Sequence, residues 1–174
     1  MKKIVFLSLS LLMGLYSCSD KKEYRPSQFP DAQSKQTYSF AIPYQNKNNS
    51  IVVRVRLNGG PQFEGTWDSG CSVPLKISSL EAAQLVKAGT LTESDYHSNL
   101  PITVANGQTN EYAVYVLKSI SFIDDSGMEH TLSNIPAVID DNVDTSILIG
   151  LPVMKALGYS HEIDQYDQHI YYKE

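Results

Sequence analysis

The 174-residue sequence has little of what several large function classes require. Its 14 Lys and Arg residues are outnumbered by 19 Asp and Glu residues and form no basic run, which argues against nucleic-acid binding. The four histidines show no close metal-ligand spacing, and the sequence has no glycine-rich loop for a nucleotide phosphate. We therefore expect no metal, no cofactor and no nucleic-acid partner.

The sequence also lacks an apolar run long enough to cross a bilayer as a helix. Met1-Lys2-Lys3 precedes an apolar stretch over residues 4–15, which is about the length of a signal-peptide core. The stretch ends in Leu15-Tyr16-Ser17-Cys18, which resembles a bacterial lipobox, although a small residue is commoner at the position of Tyr16. We expect residues 1–17 to be a lipoprotein signal peptide and Cys18 to be lipidated, so that the protein is anchored to a membrane of the bacterial cell envelope. An ordinary secretory signal with a chance cysteine is the alternative.

Cysteine is scarce, because the sequence contains only Cys18 and Cys71. If Cys18 carries lipid, Cys71 has no intramolecular partner, and we expect no structural disulfide. Residues 18–36 are polar, contain two prolines and show no apolar period, which is typical of a flexible tether. The folded domain is expected over residues 37–174.

The sequence does contain many short strand-like segments separated by turn signals. In residues 51–57, Val53, Val55 and Leu57 alternate with arginines, which predicts a strand with one buried face. Further strand-like segments are residues 38–42, 62–67, 101–104, 112–117, 120–123, 130–132, 135–139 and 147–149, with strand-like pieces over 159–172. Turn clusters at residues 46–49 and 58–60 and the hairpin signal Asn106-Gly107 punctuate them. The pattern predicts a mainly β fold, as a small barrel or sandwich.

Only two short helices are predicted. Ser78 and Glu81 have the spacing of a capping box, and Gly89 suits the end of the helix that follows. Pro152 suits a first helical position, and Gly158 suits the end of a second short helix.

One carboxylate stands out in this pattern. In Thr66-Trp67-Asp68-Ser69-Gly70-Cys71-Ser72, Asp68 follows a strand-like run and precedes a turn. A carboxylate next to apolar residues at a strand end is costly unless the protein uses it.

Three blocks in order resemble the retroviral-type (retropepsin-like) aspartic proteases. They are the strand pair leading into the Asp68 motif, the hairpin segment Thr103-Val104-Ala105-Asn106-Gly107, and Ile147-Leu148-Ile149-Gly150-Leu151-Pro152 before a short helix. The resemblance covers about residues 49–173. It implies a closed acid-protease-like β-barrel with one or two short helices and a ψ-shaped active-site loop. It also implies that two identical chains each donate one Asp to a peptide-hydrolysing site.

The resemblance also implies a role for each matching residue. Asp68 would be the catalytic acid and base, the Ser69 hydroxyl would hold the two loops together across the dimer, and Gly70 would let a backbone N–H approach the carboxylate. The flap tip over bound peptide would be formed by Ala105, Asn106 and Gly107. The loop bearing Asp68 would be supported by Ile149 and Gly150.

The requirement for a second chain has a physical basis. Two carboxylates about 3 Å apart cannot both ionise, so they share one proton and play different parts in activating water and polarising the substrate carbonyl. A second Asp-Ser-Gly occurs at residues 125–127, but Asp124 before it and Met-Glu-His after it are typical of an exposed turn. The chain is therefore expected to be half of an enzyme that acts on a peptide or protein as a homodimer.

Two residues depart from the family pattern. Trp67 stands where a small aliphatic residue is usual, and Cys71 often corresponds to Ala. Cys71 is interpreted as a buried small hydrophobe or as a redox-sensitive thiol near the site. A catalytically inactive peptide- or partner-binding lipoprotein is the alternative function, and a second half from a different chain stays open. A Cys71 nucleophile paired with a histidine is a weaker alternative, since nothing in the sequence brings the two together.

Overall fold

The computed structural model describes residues 38–103, 106–143, 147–158 and 160–173. The expected signal peptide over residues 1–17, the lipidated Cys18, the tether over residues 18–36 and the flap residue Ala105 lie outside the described residues. The described residues all belong to one unit that spans Gln36–Glu174.

The elements within the described residues are ten strands, two α-helices and a short 3₁₀-helix at Glu93–Asp95. The strands are β1 (Phe40–Lys47), β2 (Ser50–Leu57), β3 (Gln62–Asp68), β4 (Leu75–Ser78), β5 (Tyr96–Thr103), β6 (Thr109–Ile123), β7 (Glu129–Asp140), β8 (Ile147–Gly150), β9 (Ser160–Asp164) and β10 (His169–Lys173). Helix α1 (Ser79–Lys87) follows β4, and helix α2 (Leu151–Leu157) follows β8. None of the described helices is long and apolar enough to cross a membrane.

The first three strands form a meander joined by two tight turns. Asn48 and Asn49 adopt φ values of 50° and 62°, and Asn58 and Gly59 adopt 52° and 66°. Asparagine and glycine tolerate this left-handed conformation, which matches the twist of paired antiparallel strands. Both predicted turns are confirmed, although β1 extends through Lys47 and leaves only two residues in the first.

Pairing between β2 and β6 closes the sheet into a barrel. Six strands follow one another around the ring in the order β2, β3, β8, β4, β7 and β6, and the ring closes where Val55 of β2 pairs with Phe122 of β6. Strands β1, β10 and β9 extend the sheet beyond β2, and β5 extends it beyond β6. The predicted mainly β fold, a closed barrel with two short helices, is confirmed.

Two predicted strand breaks do not exist. The segments 112–117 and 120–123 are one strand, β6, and the segments 130–132 and 135–139 are one strand, β7. The polar residues between the segments continue the two strands in register, with Ser119 paired with Ser133. Pairing along a neighbouring strand, which the local sequence does not report, decides the outcome here.

The predicted helix caps are present. The Ser78 backbone N–H donates to Glu81 Oε2 at 2.7 Å, and the Leu80 N–H donates to Ser78 Oγ at 3.2 Å, which completes the capping box of α1. Of the apolar positions in this helix, Leu85 is buried, whereas Leu80 and Val86 are 52% and 56% exposed. Helix α1 therefore packs on the barrel through a narrow face.

The core fills the barrel with the inward-facing residues of nearly every strand. Val53, Val55 and Leu57 of β2 are at most 1% exposed, which confirms the predicted buried face. Trp67 is also a core residue, 8% exposed, and packs edge-on against Phe122 at a ring-centroid distance of 5.8 Å. The indole thus packs in the core one residue before Asp68.

Candidate active site

Asp68 lies at the crossing of a ψ-shaped arrangement of strands. Strand β8 runs parallel to β3, with Asp68 opposite Gly150, and its other edge pairs with β4. The chain that leaves β3 at Asp68 must therefore pass over the end of β8 to reach β4. This path makes residues 69–74 a loop that exposes the Asp68 carboxylate at the end of two parallel strands.

The loop rests directly on Gly150. The Gly150 N–H donates to the Pro74 carbonyl at 3.0 Å, and the Leu151 N–H donates to the Cys71 carbonyl at 3.0 Å. A Cβ on residue 150 would lie 1.9 Å from the Val73 carbonyl oxygen, so no other residue fits without moving the loop. Gly150, for which the resemblance implies a supporting role, thus lies under the loop.

Ile149 holds the strand pair beneath the loop. The side chain is fully buried, and its Cδ1 would lie 2.8 Å from a Cβ on Gly65 of β3. Because Gly65 has no side chain, β3 and Ile149 come into close contact. Ile149 and Gly150 thus occupy the places beside and below the Asp68 strand.

The Asp68 carboxylate is held through one oxygen. Oδ1 accepts a hydrogen bond from the Gly70 N–H at 2.9 Å, and the Cys71 N–H donates to the Asp68 carbonyl at 3.1 Å. A Cβ on Gly70 would approach Oδ1 to 3.2 Å, which is tighter than ordinary contact. Oδ2 accepts no hydrogen bond from the described part of the chain. Ser69, next in the loop, is exposed.

A cavity of about 330 Å³ opens between this loop and the β5–β6 hairpin. Its lining residues come from the loop, the hairpin stem and the neighbouring strands: Asp68, Gly70, Cys71, Ser72, Val73, Lys76, Ile102, Thr103, Tyr112, Val138 and Leu148. The hairpin predicted from Asn106-Gly107 is present, with Gly107 at a φ of 84°. Asn106 and Gly107 are exposed at its tip and do not line the cavity. Among the described residues, the stem of the hairpin rather than its tip lines the cavity that contains the carboxylate.

A second charged residue of the cavity wall, Lys76, was not predicted from the sequence. Lys76 Nζ lies 2.9 Å from Asp140 Oδ2, and the two side chains are 20% and 15% exposed. Burial acts to raise the pKa of Asp140, but the Asn142 N–H and the Lys76 ammonium outweigh it, and the pKa of Asp140 lies below its ordinary value. The available signal was a lone lysine between two apolar residues, Leu75 and Ile77.

Cys71 lies in the cavity wall as a partly buried thiol. Its Sγ donates to the Val73 carbonyl at 3.5 Å, and burial raises its pKa. A raised pKa keeps the thiol protonated at neutral pH, which argues against an activated nucleophile or a sensitive redox thiol. No histidine lines this cavity in the part of the chain that the structure describes. The geometry favours the small-hydrophobe interpretation of Cys71.

The second Asp-Ser-Gly is a turn, as predicted. It joins β6 to β7, with Gly127 at a φ of 83°. Asp124 organises it by accepting hydrogen bonds from the Ser126 and Met128 backbone N–H groups, each at 2.9 Å. Asp125 pairs with His169 at 2.5 Å, on β10. Neither carboxylate lines the cavity that contains Asp68.

The chain is similar to the crystal structure of a retropepsin-like aspartic protease from Rickettsia conorii, with a TM-score of 0.53 and 16% identity over 78% of this chain and 95% of that one. The chain has the retropepsin-like fold. The retroviral protease-like domain of Ddi1 from Leishmania major also matches, with a TM-score of 0.35 and 12% identity over 74% of this chain and 96% of that one. No protein-family model and no curated protein sequence matches the chain.

Three observations therefore assign the retropepsin-like fold: the barrel, the ψ arrangement and the likeness to the first of these structures. At 16% identity, the likeness shows the fold and leaves the roles of individual residues open. The structure brings Asp68, Gly70, Ile149 and Gly150 together around one loop. It leaves Asn106 and Gly107 at the hairpin tip.

Proposed function

We propose that this protein is an aspartic endopeptidase of the retropepsin type that hydrolyses peptide bonds as a homodimer. The observation that carries the proposal is the Asp68 carboxylate, whose Oδ1 is held by the Gly70 N–H while Oδ2 is left without a partner among the described residues. It lies at a cavity beneath a β-hairpin, in a retropepsin-like fold. A peptide is the substrate class that such a hairpin-covered groove suits.

The proposed reaction needs Asp68 from both chains. One carboxylate of the pair is ionised and removes a proton from a water molecule, while the other is protonated and polarises the substrate carbonyl. The Gly70 N–H orients its carboxylate so that the free oxygen faces the partner chain's carboxylate. The exposed Ser69 hydroxyl would bridge the two loops, and the tips at Asn106 and Gly107 would close over the peptide.

Lipid anchoring at Cys18 is part of the proposal and follows from the sequence alone. Residues 1–17 would be removed as a signal peptide, and residues 18–36 would tether the domain to a membrane of the bacterial cell envelope. Mass spectrometry of the mature protein tests this, because a diacylglyceryl group on Cys18 is expected at the new N-terminus. A mature chain that begins elsewhere would contradict it.

The decisive experiment compares two aspartates in identical tripeptides. Asp68→Asn should abolish cleavage of a peptide library at mildly acidic pH, because the dyad loses a carboxylate. Asp125→Asn is the matched control: it changes the other Asp-Ser-Gly and should leave cleavage intact. Equal cleavage by wild type and Asp68→Asn would overturn the mechanism.

One observation favours a second candidate function, peptide binding without hydrolysis. The Asp68 carboxylate is already held by the backbone of its own loop through the Gly70 N–H. A monomer that binds peptides but cleaves none of them would establish this alternative.

A further inference from the structure

Lys76 lies on the cavity side of the sheet because of the alternation within β4. Its neighbours Leu75 and Ile77 are fully buried in the core, so the side chain between them points to the opposite face. Lys76 pairs with Val138 on β7 and with Leu148 on β8. Cross-strand partners share a face of the sheet, and all three residues line the same cavity. On the sheet side, the cavity therefore has an apolar floor with the Lys76 ammonium in it, and the Asp68 carboxylate lies in the loop that forms another part of the wall.

The Lys76 ammonium has N–H donors that Asp140 does not use. An ammonium carries three N–H donors, and Asp140 Oδ2 is the one acceptor that Lys76 Nζ meets within the described residues. Asp140 is itself satisfied, since its Oδ1 accepts from the Asn142 N–H at 3.0 Å. Asp140 does not line the cavity, whereas Lys76 does. A molecule in the cavity thus meets the lysine, with the aspartate behind it.

These features fit a side chain that is apolar along its length and anionic at its end. Two methylene groups of such a side chain would pack against Ile102, Val138 and Leu148. Its terminal carboxylate would accept hydrogen bonds from the N–H donors of Lys76 that Asp140 does not use. Charge-assisted hydrogen bonds of this kind are stronger than neutral ones. A lysine or arginine would meet the ammonium as a like charge, and a purely apolar side chain would leave its donors without a partner.

We propose that Lys76 is a specificity residue that makes this cavity a subsite for a glutamate side chain of the peptide. The proposal rests on the proposed function, since it names the substrate class of the same site. The competing interpretation is that Lys76 and Asp140 only tie β4 to β7 and do not touch the substrate.

The test uses the full chain and peptides that differ at one position, carrying Glu, Gln, Leu or Lys in turn at each site flanking the scissile bond. Wild type should cleave the Glu peptide about tenfold faster than the Leu or Lys peptide at one position, as judged by kcat/KM. The double variant Lys76→Glu with Asp140→Lys keeps the ion pair but reverses it, and should prefer Lys over Glu at that position. A role limited to tying the strands together would not reverse the preference.

Two further variants keep the test independent of folding. Lys76→Met with Asp140→Asn removes both charges and should lose the Glu preference while retaining a cooperative thermal transition. Lys47→Met is the matched control. Lys47 also forms an ion pair, with a distance of 2.6 Å from its Nζ to Glu64 Oε1, but neither residue lines the cavity. It should leave the preference unchanged.

Binding separates this inference from the proposed function. Fluorescence anisotropy of the same peptides with the Asp68→Asn variant should show the same Glu preference without hydrolysis. If wild type cleaves nothing but the Glu peptide binds tightest, the protease proposal is wrong and the subsite stands. If peptides are cleaved or bound with no dependence on Glu at any position, the subsite is wrong.

Discussion

Replacing Gly150 with alanine tests the ψ arrangement most severely. Gly150 has a φ of −88° and a ψ of 170°, which any residue can adopt, so backbone conformation does not require glycine. The lack of space requires glycine, because the added Cβ would lie 1.9 Å from the Val73 carbonyl oxygen and 2.8 Å from the Cys71 carbonyl oxygen. Both atoms belong to the backbone and cannot turn aside as a side chain would.

The expected cost can be built from two parts. Overpacking of a tight site costs about 1–3 kcal/mol, and sometimes more. Moving the loop away also strains or breaks the hydrogen bonds from the Gly150 and Leu151 N–H groups, at about 1 kcal/mol each. We expect Gly150→Ala to lose about 3–5 kcal/mol of unfolding free energy and all of the proposed peptidase activity.

Gly89→Ala provides the control for this measurement. Gly89 ends α1 at a φ of 70°, with nothing within 4 Å of the position of its Cβ. Its substitution should cost about 1 kcal/mol through backbone strain alone. Urea denaturation of the three proteins measures both values. A Gly150→Ala variant that loses no more than Gly89→Ala would refute the close approach of the loop.

Three further predictions concern the surroundings of the site. Trp67→Phe should cost less than about 2 kcal/mol, against about 3–5 for Trp67→Ala, because the buried Nε1 has no hydrogen-bond partner among the described residues; denaturation midpoints check this ordering. Asp140 has a lowered pKa in the fold, so its contribution to stability should be present above its unfolded pKa near 3.8 and be lost as pH falls through the folded value. Asp140→Asn should remove that part of the acid dependence, and a pH titration of stability that is the same in both proteins would contradict this. Cys71 should react with iodoacetamide more slowly than a free thiol at neutral pH, since burial raises its pKa, and fast labelling would show that the thiol is exposed.

The parts of the fold that local sequence specifies were predicted correctly. Asn58-Gly59 and Asn106-Gly107 form turns because their residues accept positive φ, and Ser78 with Glu81 forms a cap from atoms three residues apart. The Asp68 loop was recognised because strand, acid and glycine follow one another directly in the chain.

The parts that depend on distant segments were missed. Strand β4 is four residues long, and it is a strand because β7 and β8 pair with it on both sides. The ion pair of Lys76 was missed because its partner, Asp140, is 64 residues away in sequence. The hairpin stem, rather than the predicted tip, lines the cavity because β5 and β6 carry Thr103 and Tyr112 over the loop. No local pattern reports contacts of this range.

The central claim is that each active site takes one Asp68 from each of two chains. Refolding wild type together with Asp68→Asn in equal amounts tests it, because mixed dimers would hold a single usable carboxylate. At a fixed total protein concentration, activity should fall to about a quarter of that of wild type alone, the share of dimers in which both chains are wild type. A fall to about a half would mean that each chain works independently, and would contradict the shared dyad.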